Sequence, residues 1–341
     1  MTVAVPIVSV EDLRVRFVTS DTTVHAVNGI SFALEAGRVL GILGESGSGK
    51  SVTLRALIGL LPPRRSQVEG RITVAGHEIT RLGEAELREV RGTKIAMIFQ
   101  EPMVALDPVF TIGEQIAETI VRHEGVSWAG ASRRALELLE IVQIPSAARR
   151  LKAYPHEMSG GMRQRAMIAL ALSCRPAVLL ADEPTTALDV TVQIQIIVLL
   201  RRLQQELGMA VIFVTHDVGV AVEVSDRLAV MYAGRFVETG PTATLIEHPA
   251  HPYTAGLLAS TVLGAQPGRR LEAIAGSPPD LSALPPGCAF APRCRFADDR
   301  CRVVPPPEFA LASGHSTRCL RAAAGEIELA ARASASAPWR E

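Results

Sequence analysis

The stretch GILGESGSGKSVTLRALIGLL, residues 41–61, sets a glycine-rich loop between two ordered elements. The letters before it, RVLGIL, are a short apolar strand pattern, and those after it have apolar residues at helical spacing. Residues 44–51 fit the pattern G-x-x-x-x-G-K-[ST] at every position. Glycine allows the backbone conformations in which successive N–H groups point at one anion. The order of strand, glycine loop and helix therefore predicts a phosphate-binding loop.

We expect this loop to bind ATP together with Mg²⁺. The partial positive charge at the start of the following helix favours phosphate there. Lys50 can reach the β- and γ-phosphates, and the Ser51 hydroxyl can bind the metal. The expected nucleotide-binding residues of this segment are Gly44, Glu45, Ser46, Gly47, Ser48, Gly49, Lys50, Ser51 and Val52.

Two acidic residues follow a second apolar strand pattern, VLLADEP at residues 178–184. Asp182 would lie at the carboxyl edge of the sheet, where open α/β sheets bind ligands and a carboxylate can hold Mg²⁺. The adjacent Glu183 could orient or deprotonate an attacking water. Taken alone, the two acids fit a helix-capping turn equally well. Together with the phosphate loop, they favour a catalytic interpretation.

Strand patterns alternate with helical patterns over most of the chain, which predicts an α/β domain with a largely parallel sheet. The segments VEDLRVRFV and HAVNGISFAL near the N-terminus have the period-two alternation of strands. From about residue 111 to 176 the pattern is helical. After Pro249 prolines become frequent, so we expect a loop-dominated region there. The last twenty residues are low in complexity, and their end is expected to be disordered.

The overall charge is balanced, with 35 Lys plus Arg and 35 Asp plus Glu in 341 residues. This balance, and the lack of a basic stripe, argue against a nucleic-acid partner. No apolar run is long enough to cross a bilayer. The first residues lack the basic and apolar regions of a secretory signal. We therefore expect a cytosolic chain that can still sit on a membrane partner.

Six motifs resemble those of ATP-binding-cassette (ABC) proteins, and they follow one another along the chain in the same order as in that family. The phosphate loop and the LLADEP strand are two of them, and MSGGMRQRAMIALAL (158–172) resembles the family's signature helix. Gln100 in IFQEPM resembles the Q-loop, TTALD ending at Asp189 the D-loop, and His216 in VTHD the switch histidine. The resemblance implies that Phe17 stacks on adenine and that Asp189 is one of the nucleotide-binding residues. The signature reads SGGM rather than SGGQ, and Val52 replaces a common threonine; neither change removes a reacting group.

The resemblance implies a RecA-like P-loop NTPase core, an antiparallel β subdomain, an inserted α-helical subdomain at about residues 103–176, and a small loop-rich C-terminal extension. It also implies head-to-tail dimers in which Ser159, Gly160 and Gly161 contact the γ-phosphate held by the other cassette. Ser51, Asp182 and Gln100 would surround Mg²⁺. Glu183 would polarise the water, His216 would sense the γ-phosphate, and Lys50 would neutralise phosphate charge.

The tail HPAHPYTAGLLAS…PPGCAFAPRCRFADDRC, with SGGMRQR, looks like the ATP-binding subunits of oligopeptide/dipeptide-type importers. That resemblance implies a nucleotide-binding domain at residues 1–249, a C-terminal extension at 250–321 and a flexible tail at 322–341. It implies a second, homologous cassette, two transmembrane permeases and an extracytoplasmic solute-binding protein, with this chain on the cytoplasmic face of the plasma (inner) membrane. Dipeptides, oligopeptides, nickel chelates and other small solutes remain open as cargo.

Four cysteines fall in the proline-rich region: Cys288, Cys294, Cys301 and Cys319. A cytosolic chain rarely keeps disulfides, and a region with little core gains stability from a metal. Zinc sites usually include a C-x2–4-C pair, which this spacing lacks. Some importers of the resembled family carry a [4Fe–4S] cluster at this place, which four thiolates can hold. We expect the cluster, with zinc and free or disulfide-bonded thiols as alternatives.

An alternative function is a soluble ABC ATPase of the DNA-repair or translation type. Such chains usually carry two cassettes or nucleic-acid-binding insertions, whereas this one has one cassette and no basic stripe. A regulatory cassette that binds ATP without turnover is a third possibility. The presence of Glu183 and His216 argues against it.

Overall fold

The structure, a computed structural model, describes residues 5–186, 188–261 and 273–329. Within these ranges, the strands are β1 Val8–Val18, β2 Thr23–Leu34, β3 Val39–Leu43, β4 Ser66–Val74, β5 His77–Glu78, β6 Ile95–Ile98, β7 Val178–Asp182, β8 Ala210–Thr215, β9 Arg227–Tyr232, β10 Arg235–Pro241, β11 Phe309–Ala310 and β12 Ser316–Thr317. The helices are α1 Lys50–Leu57, α2 Glu84–Val90, α3 Pro102–Ala105, α4 Ile112–Glu124, α5 Trp128–Ile141, α6 Ala147–Arg150, α7 Gly160–Ala171, α8 Val190–Leu207, α9 Val218–Val224, α10 Thr242–Glu247, α11 Pro252–Ala259 and α12 Leu320–Ala323. Most of the predicted C-terminal tail lies outside the described residues.

An antiparallel sheet of order β2-β1-β4-β5 opens the chain. Buried residues alternate in β1 as Val8 and Val10 and, beyond an irregularity, as Leu13 and Val15, so one face of this sheet packs on the protein interior. The β1–β2 register shifts after Val10, Leu13 and Val15. The two strands predicted from period-two alternation are therefore confirmed.

The central sheet has the order β11-β12-β10-β9-β3-β8-β7-β6, and its strands from β9 to β6 are parallel. Every residue of β3, β7 and β8 is buried. Continuous apolar runs of this kind are typical of parallel strands that are covered on both faces. The predicted α/β arrangement with a largely parallel sheet is thus observed.

Two apolar cores lie on opposite faces of this sheet. Helices α4, α5, α7 and α8 contribute to one core, with Ile116, Leu139 and Ile168 fully buried. Helix α1 lies in the other core, between the central and the antiparallel sheets, where Leu54 and Leu57 are buried. The side chain and backbone of Thr111 form a capping box with Glu114 that starts α4.

The region after Pro249 is loop-dominated within residues 250–261 and 273–329, as predicted, but it also contains the eight-residue helix α11. Pro252 occupies the first helical turn, and the His251 ring accepts a hydrogen bond from the Tyr253 N–H. Tyr253, Leu257 and Leu258 are buried in a third core beneath β9 and β10. Within the described ranges, no helix is both long and apolar enough to cross a membrane.

Candidate functional site

Four neighbouring parallel strands end at one edge of the central sheet and bring the predicted reacting groups together. In the order β3, β8, β7 and β6, these strands are followed by the phosphate loop, His216, Glu183 and Gln100. The carboxyl edge of an open parallel sheet is where such folds bind ligands. The convergence of the four segments therefore follows from the strand order.

The phosphate loop approaches its neighbours so closely that two of its glycines have no room for a side chain. A Cβ on Gly44 would lie 2.2 Å from the Met231 carbonyl oxygen, and one on Gly49 would lie 2.3 Å from the Ala26 carbonyl oxygen. Gly49 also has a φ of 107°, which L residues rarely adopt. The loop backbone is thus held against β2 and β9, with its helix α1 starting at Lys50.

Lys50 is only 4% exposed and folds back onto its own loop. Its Nζ donates to the carbonyl oxygens of Gly44 at 2.8 Å and Glu45 at 2.9 Å, and lies 4.0 Å from Glu183 Oε1. Burial lowers the pKa of Lys50, while the nearby carboxylates, Glu183 first, act in the opposite direction. A phosphate would give this buried ammonium an anionic partner closer than Glu183.

The Ser48 hydroxyl is another buried polar group of the loop. It has no hydrogen bond within the part of the chain that the structure describes. Buried polar atoms are normally satisfied, so an orphan hydroxyl in a phosphate-type loop fits the approach of a ligand. Ser46 and Gly47, in contrast, lie exposed at the loop tip.

Ser51 and Asp182 form the predicted metal-binding pair. The Ser51 Oγ donates to Asp182 Oδ1 at 2.7 Å, and Asp182 is 2% exposed. Burial is the main cause that raises the pKa of Asp182, and the Ser51 hydrogen bond opposes it. Mg²⁺ prefers one or two carboxylates plus substrate phosphates over a cage of protein ligands. The adjacent hydroxyl and carboxylate oxygens fit that requirement.

Glu183 is the centre of the predicted catalytic group. Its Oε2 accepts hydrogen bonds from Thr186 Oγ1 at 3.0 Å and Gln100 Nε2 at 3.3 Å, and lies 3.1 Å from His216 Nδ1. Its backbone is left-handed, with a φ of 44°. Such strained conformations in non-glycine residues cluster at functional sites. The site therefore combines an acceptor carboxylate with groups that fix its direction.

The signature residues lie apart from this group, at the start of α7. Ser159 caps the helix, accepting from the Met162 N–H at 3.3 Å. A Cβ on Gly160 would come no closer than 3.7 Å to Leu188, whereas one on Gly161 would meet Val192 at 2.8 Å. Ser159 is exposed, so this helix begins at the protein surface.

Three further predicted residues lie in ordered elements. Phe17 pairs with Val24 in the antiparallel sheet and packs, half-buried, on the core that contains α1. Val52 packs on the same core. Asp189 caps α8, accepting from the Val192 N–H at 3.0 Å. Contact of Phe17 with adenine and the place of Asp189 among the nucleotide-binding residues remain predictions.

The four C-terminal cysteines line a single cavity of about 20 Å³ together with His251, Phe290 and Arg318. Burial raises the pKa of Cys288 to about 11 and is also the main cause of the raised pKa values of Cys294 and Cys319. These three thiols are therefore neutral near pH 7. In residues 5–186, 188–261 and 273–329, no group of three or more His, Cys, Asp or Glu is arranged to hold a metal ion. This finding supports neither the zinc alternative nor the predicted [4Fe–4S] cluster.

Two residues that the sequence did not identify as part of the site contact the phosphate loop. Arg293 forms an ion pair with Glu45, and the Tyr253 hydroxyl accepts from the Glu45 N–H at 2.9 Å. Both lie more than 200 positions from the loop in the chain, so no local pattern connects them to it.

Comparisons with known proteins place these features among transport ATPases. A family model described as ABC transporter matches residues 27–186, and one described as the C-terminal region of oligopeptide/dipeptide transporters matches residues 237–301. The dipeptide transport ATP-binding protein DppD of Bacillus subtilis (strain 168) is 47% identical, covering 92% of this chain and 94% of its own length. The oligopeptide transport ATP-binding protein OppD of Salmonella typhimurium is 48% identical, with 92% and 93% covered.

Solved structures agree. The ATP-binding cassette MJ0796, in a dimeric post-hydrolysis state bound to ADP and Pi, superposes with a TM-score of 0.62 at 28% identity. The match covers 69% of this chain and 98% of that one. The predicted fold class is thereby confirmed.

Proposed function

Because the chain belongs to the ATP-binding proteins of oligopeptide/dipeptide-type ABC transporters, we propose that it binds and hydrolyses ATP to power peptide import across a membrane. The observation that carries the ATPase function is the convergence of Lys50, Ser51, Asp182 and Glu183 at one sheet edge. The peptide cargo is supported by the relatives, which are named as dipeptide and oligopeptide transport ATP-binding proteins.

Nucleotide binding begins with the phosphate loop. Lys50 exchanges its two carbonyl acceptors for phosphate oxygens, and the buried Ser48 hydroxyl gains an acceptor. Ser51 and Asp182 would hold Mg²⁺, with Gln100 nearby through its contact to Glu183. When bound, the metal neutralises charge on the phosphates and so favours attack at phosphorus. Phe17 is the proposed stacking partner of the adenine.

Hydrolysis requires a water directed at the γ-phosphate. Glu183 is the proposed acceptor of the water's proton, because its carboxylate is anchored by Thr186 and Gln100 yet lies within reach of Lys50. His216 contacts the same carboxylate oxygen and is more than half exposed, so it can also approach a phosphate. Because Thr186 and Gln100 already hold the Glu183 carboxylate, fewer polar groups have to reorient as the transition state forms.

The second cassette would complete the site. Ser159, Gly160 and Gly161 offer an outward-facing helix N-terminus with little side-chain obstruction, which suits the γ-phosphate of a partner chain. A related solved cassette is a dimer with ADP and Pi bound. Asp189 lies where the adjacent helix begins and would contribute to this interface. ATP closes the dimer only insofar as it binds the closed state more tightly.

The importer assembly that we propose comprises this chain, a homologous cassette, two transmembrane permeases and a solute-binding protein. The relatives, which are named as ATP-binding proteins of peptide transport, support this assembly. The chain would work at the cytoplasmic face of the plasma (inner) membrane as a peripheral subunit. The helical layer formed by α4, α5 and α7 is the proposed contact with the permeases, since it follows Gln100 directly in the chain.

We also propose that the four cysteines hold a [4Fe–4S] cluster. Their convergence on one cavity supports this, and a cluster binds four thiolates on four separate irons rather than around one ion. When bound, the cluster would cross-link four loops of a region with few strands. Iron and acid-labile sulfide in anaerobically purified protein test the proposal. Cys301→Ser should lose both and Cys174→Ser, outside the cavity, should keep them; iron-free wild-type protein would contradict it.

ATP hydrolysis by the purified full-length chain tests the catalytic part of the function. Lys50→Ala should abolish both nucleotide binding and phosphate release, since no other ammonium is buried in the loop. Lys152→Ala, at an exposed lysine outside the site, is the matched control and should leave both unchanged. Equal phosphate release by wild type and Lys50→Ala would refute the assignment of this loop.

A further inference from the structure

We propose that Arg293 of the C-terminal extension is a positioning residue for the phosphate loop, which it holds through Glu45 so that the loop is preset for nucleotide. The inference rests on the ATP function proposed above. The C-terminal extension would then help to form the nucleotide site of the same chain. Tyr253, on α11, assists through the backbone of the same loop residue.

The contact between Arg293 and Glu45 has the two-pronged geometry of the strongest ion pairs. Arg293 Nη1 lies 2.7 Å from Glu45 Oε2, and Nη2 lies 3.1 Å from Oε1. The guanidinium side chain is 6% exposed, so water screens the pair little on that side. Glu45, in turn, is the residue directly after Gly44 at the start of the loop.

Every N–H of the guanidinium is used, which fixes its direction. Nε donates to the Ala275 carbonyl at 2.9 Å, Nη2 also to the Ile274 carbonyl at 3.3 Å, and Nη1 also to the Tyr232 hydroxyl at 3.3 Å. A lysine could not reproduce this planar set of donors. Arg293 is thus a rigid strut between the extension and the loop, rather than a mobile surface charge.

Tyr253 contacts the backbone of the same loop residue. Its ring is fully buried, and its hydroxyl accepts the Glu45 N–H at 2.9 Å. The ring packs 4.6 Å from that of Tyr232 and 5.3 Å from that of Phe290, between centroids. The side chain and the backbone of Glu45 are therefore both tied to the C-terminal part of the chain.

Arg293 acts on Lys50 indirectly, through Glu45. The carbonyl of Glu45 accepts from Lys50 Nζ at 2.9 Å, so the place of Glu45 sets one wall of the pocket that the ammonium occupies. Gln100, Glu183 and His216 follow other strands of the sheet, and Glu183 lies 4.0 Å from Lys50, outside hydrogen-bond distance. A loop that is preset loses less conformational entropy on binding, so the expected effect is on nucleotide affinity more than on turnover.

The same arginine connects the loop to the cysteine cavity. Arg293 ends a short 3-10 helix, Ala291–Arg293, that lies between Cys288 and Cys294. The Cys288 N–H donates to the Cys301 carbonyl at 2.8 Å, which ties two cysteine segments together. Phe290 both lines the cavity and packs on Tyr253. Arg293 and the cysteine segments therefore belong to one packed part of the extension.

Nucleotide affinity and turnover, measured separately in the full-length chain, test this role. The variants are Arg293→Gln, Glu45→Gln, their double variant, and Arg302→Gln as an exposed control in the same extension. The dissociation constant of a fluorescent ADP analogue gives the affinity, and steady-state assays give KM and kcat for ATP. Circular dichroism and melting confirm that each variant is folded.

Arg293→Gln should raise KM for ATP and weaken ADP binding about tenfold, as expected for loss of a charge-assisted pair, with kcat changed far less. The double variant should bind no more weakly than Arg293→Gln, since one interaction is lost in both. Tyr253→Phe, which removes only the hydroxyl, should shift affinity in the same direction. A purely structural arginine would instead lower kcat through a smaller active fraction and leave KM unchanged.

Affinity in Arg293→Gln equal to that in Arg302→Gln would overturn the inference, as would additive effects of the Arg293 and Glu45 changes. A wild-type chain that neither binds nor hydrolyses ATP would instead overturn the proposed function. The two failures are thereby distinguishable.

Discussion

His251 should make helix α11 sensitive to pH, and the size of the effect follows from its surroundings. The side chain is 1% exposed, packs 5.9 Å from the Phe290 ring, and accepts the Tyr253 N–H at 3.1 Å through Nδ1. Burial lowers its pKa to about 3 from the usual 6.5. In the protein without a cluster, the Cys288 thiol of the same cavity has a pKa near 11 and stays neutral throughout this range.

The sign follows from where the proton binds. Between pH 6.5 and 3, the imidazole takes up a proton only when the helix is open, so acid favours opening. Stability contributed by the neutral ring is complete above pH 6.5 and is lost as pH falls toward 3. Lowering the pH from about 7.5 to 5 should reduce the free energy of opening by about 2 kcal/mol. This corresponds to a roughly thirtyfold loss of protection of the α11 amides against hydrogen exchange.

Amide hydrogen exchange at α11, corrected for the intrinsic pH dependence of exchange, measures this opening directly. His251→Asn is the comparison, because asparagine keeps a capping acceptor for Tyr253 but does not titrate. Protection in the wild type should fall roughly thirtyfold relative to the variant over this pH range. Equal falls in the two proteins would refute the assignment of the effect to His251.

Three further substitutions test the site. Glu183→Gln should lower ATP turnover by about 10²–10⁴ while ATP stays bound, measured as phosphate release and retained labelled ATP; Glu137→Gln, exposed on α5, should change neither. Gly160→Ala has room for its methyl group, 3.7 Å from Leu188, so the melting temperature should hold while turnover falls; retained turnover would contradict the signature's role. Gly49→Ala should cost more than the about 1–2 kcal/mol of left-handed strain alone, because its methyl group meets the Ala26 carbonyl. Gly47→Ala, with no atom within 4 Å of its added Cβ, should show only that strain in urea unfolding.

Features with local causes could be predicted from the sequence. The alternation in β1 and β2 follows from one buried face, and the continuous apolar runs of β7 and β8 follow from burial on both faces. The phosphate loop is recognisable from its glycines, because at Gly44 and Gly49 a neighbouring backbone lies so close that no side chain fits. The convergence of Gln100, Glu183 and His216 then follows from parallel strands sharing one edge.

Features that depend on distant contacts could not be predicted. Glu45 and Arg293 are 248 positions apart, and a glutamate within a glycine loop carries no sign of its partner. The left-handed backbone of Glu183 has no glycine to indicate it. Helix α11 lies among prolines and is buried on several sides, so the usual one-sided apolar pattern is absent. The cysteine spacing leaves open what the four thiols bind.

ATP-driven peptide uptake by the native assembly tests the account most directly. The tagged chain would be purified from gently solubilised membranes, its partners identified by mass spectrometry, and the assembly reconstituted in vesicles with labelled peptide. We predict that permeases and a second cassette co-purify, that uptake requires ATP, and that Glu183→Gln abolishes it. A chain that purifies without membrane proteins, or with ribosomes or DNA, or whose assembly takes up peptide equally with Glu183→Gln, would contradict the account.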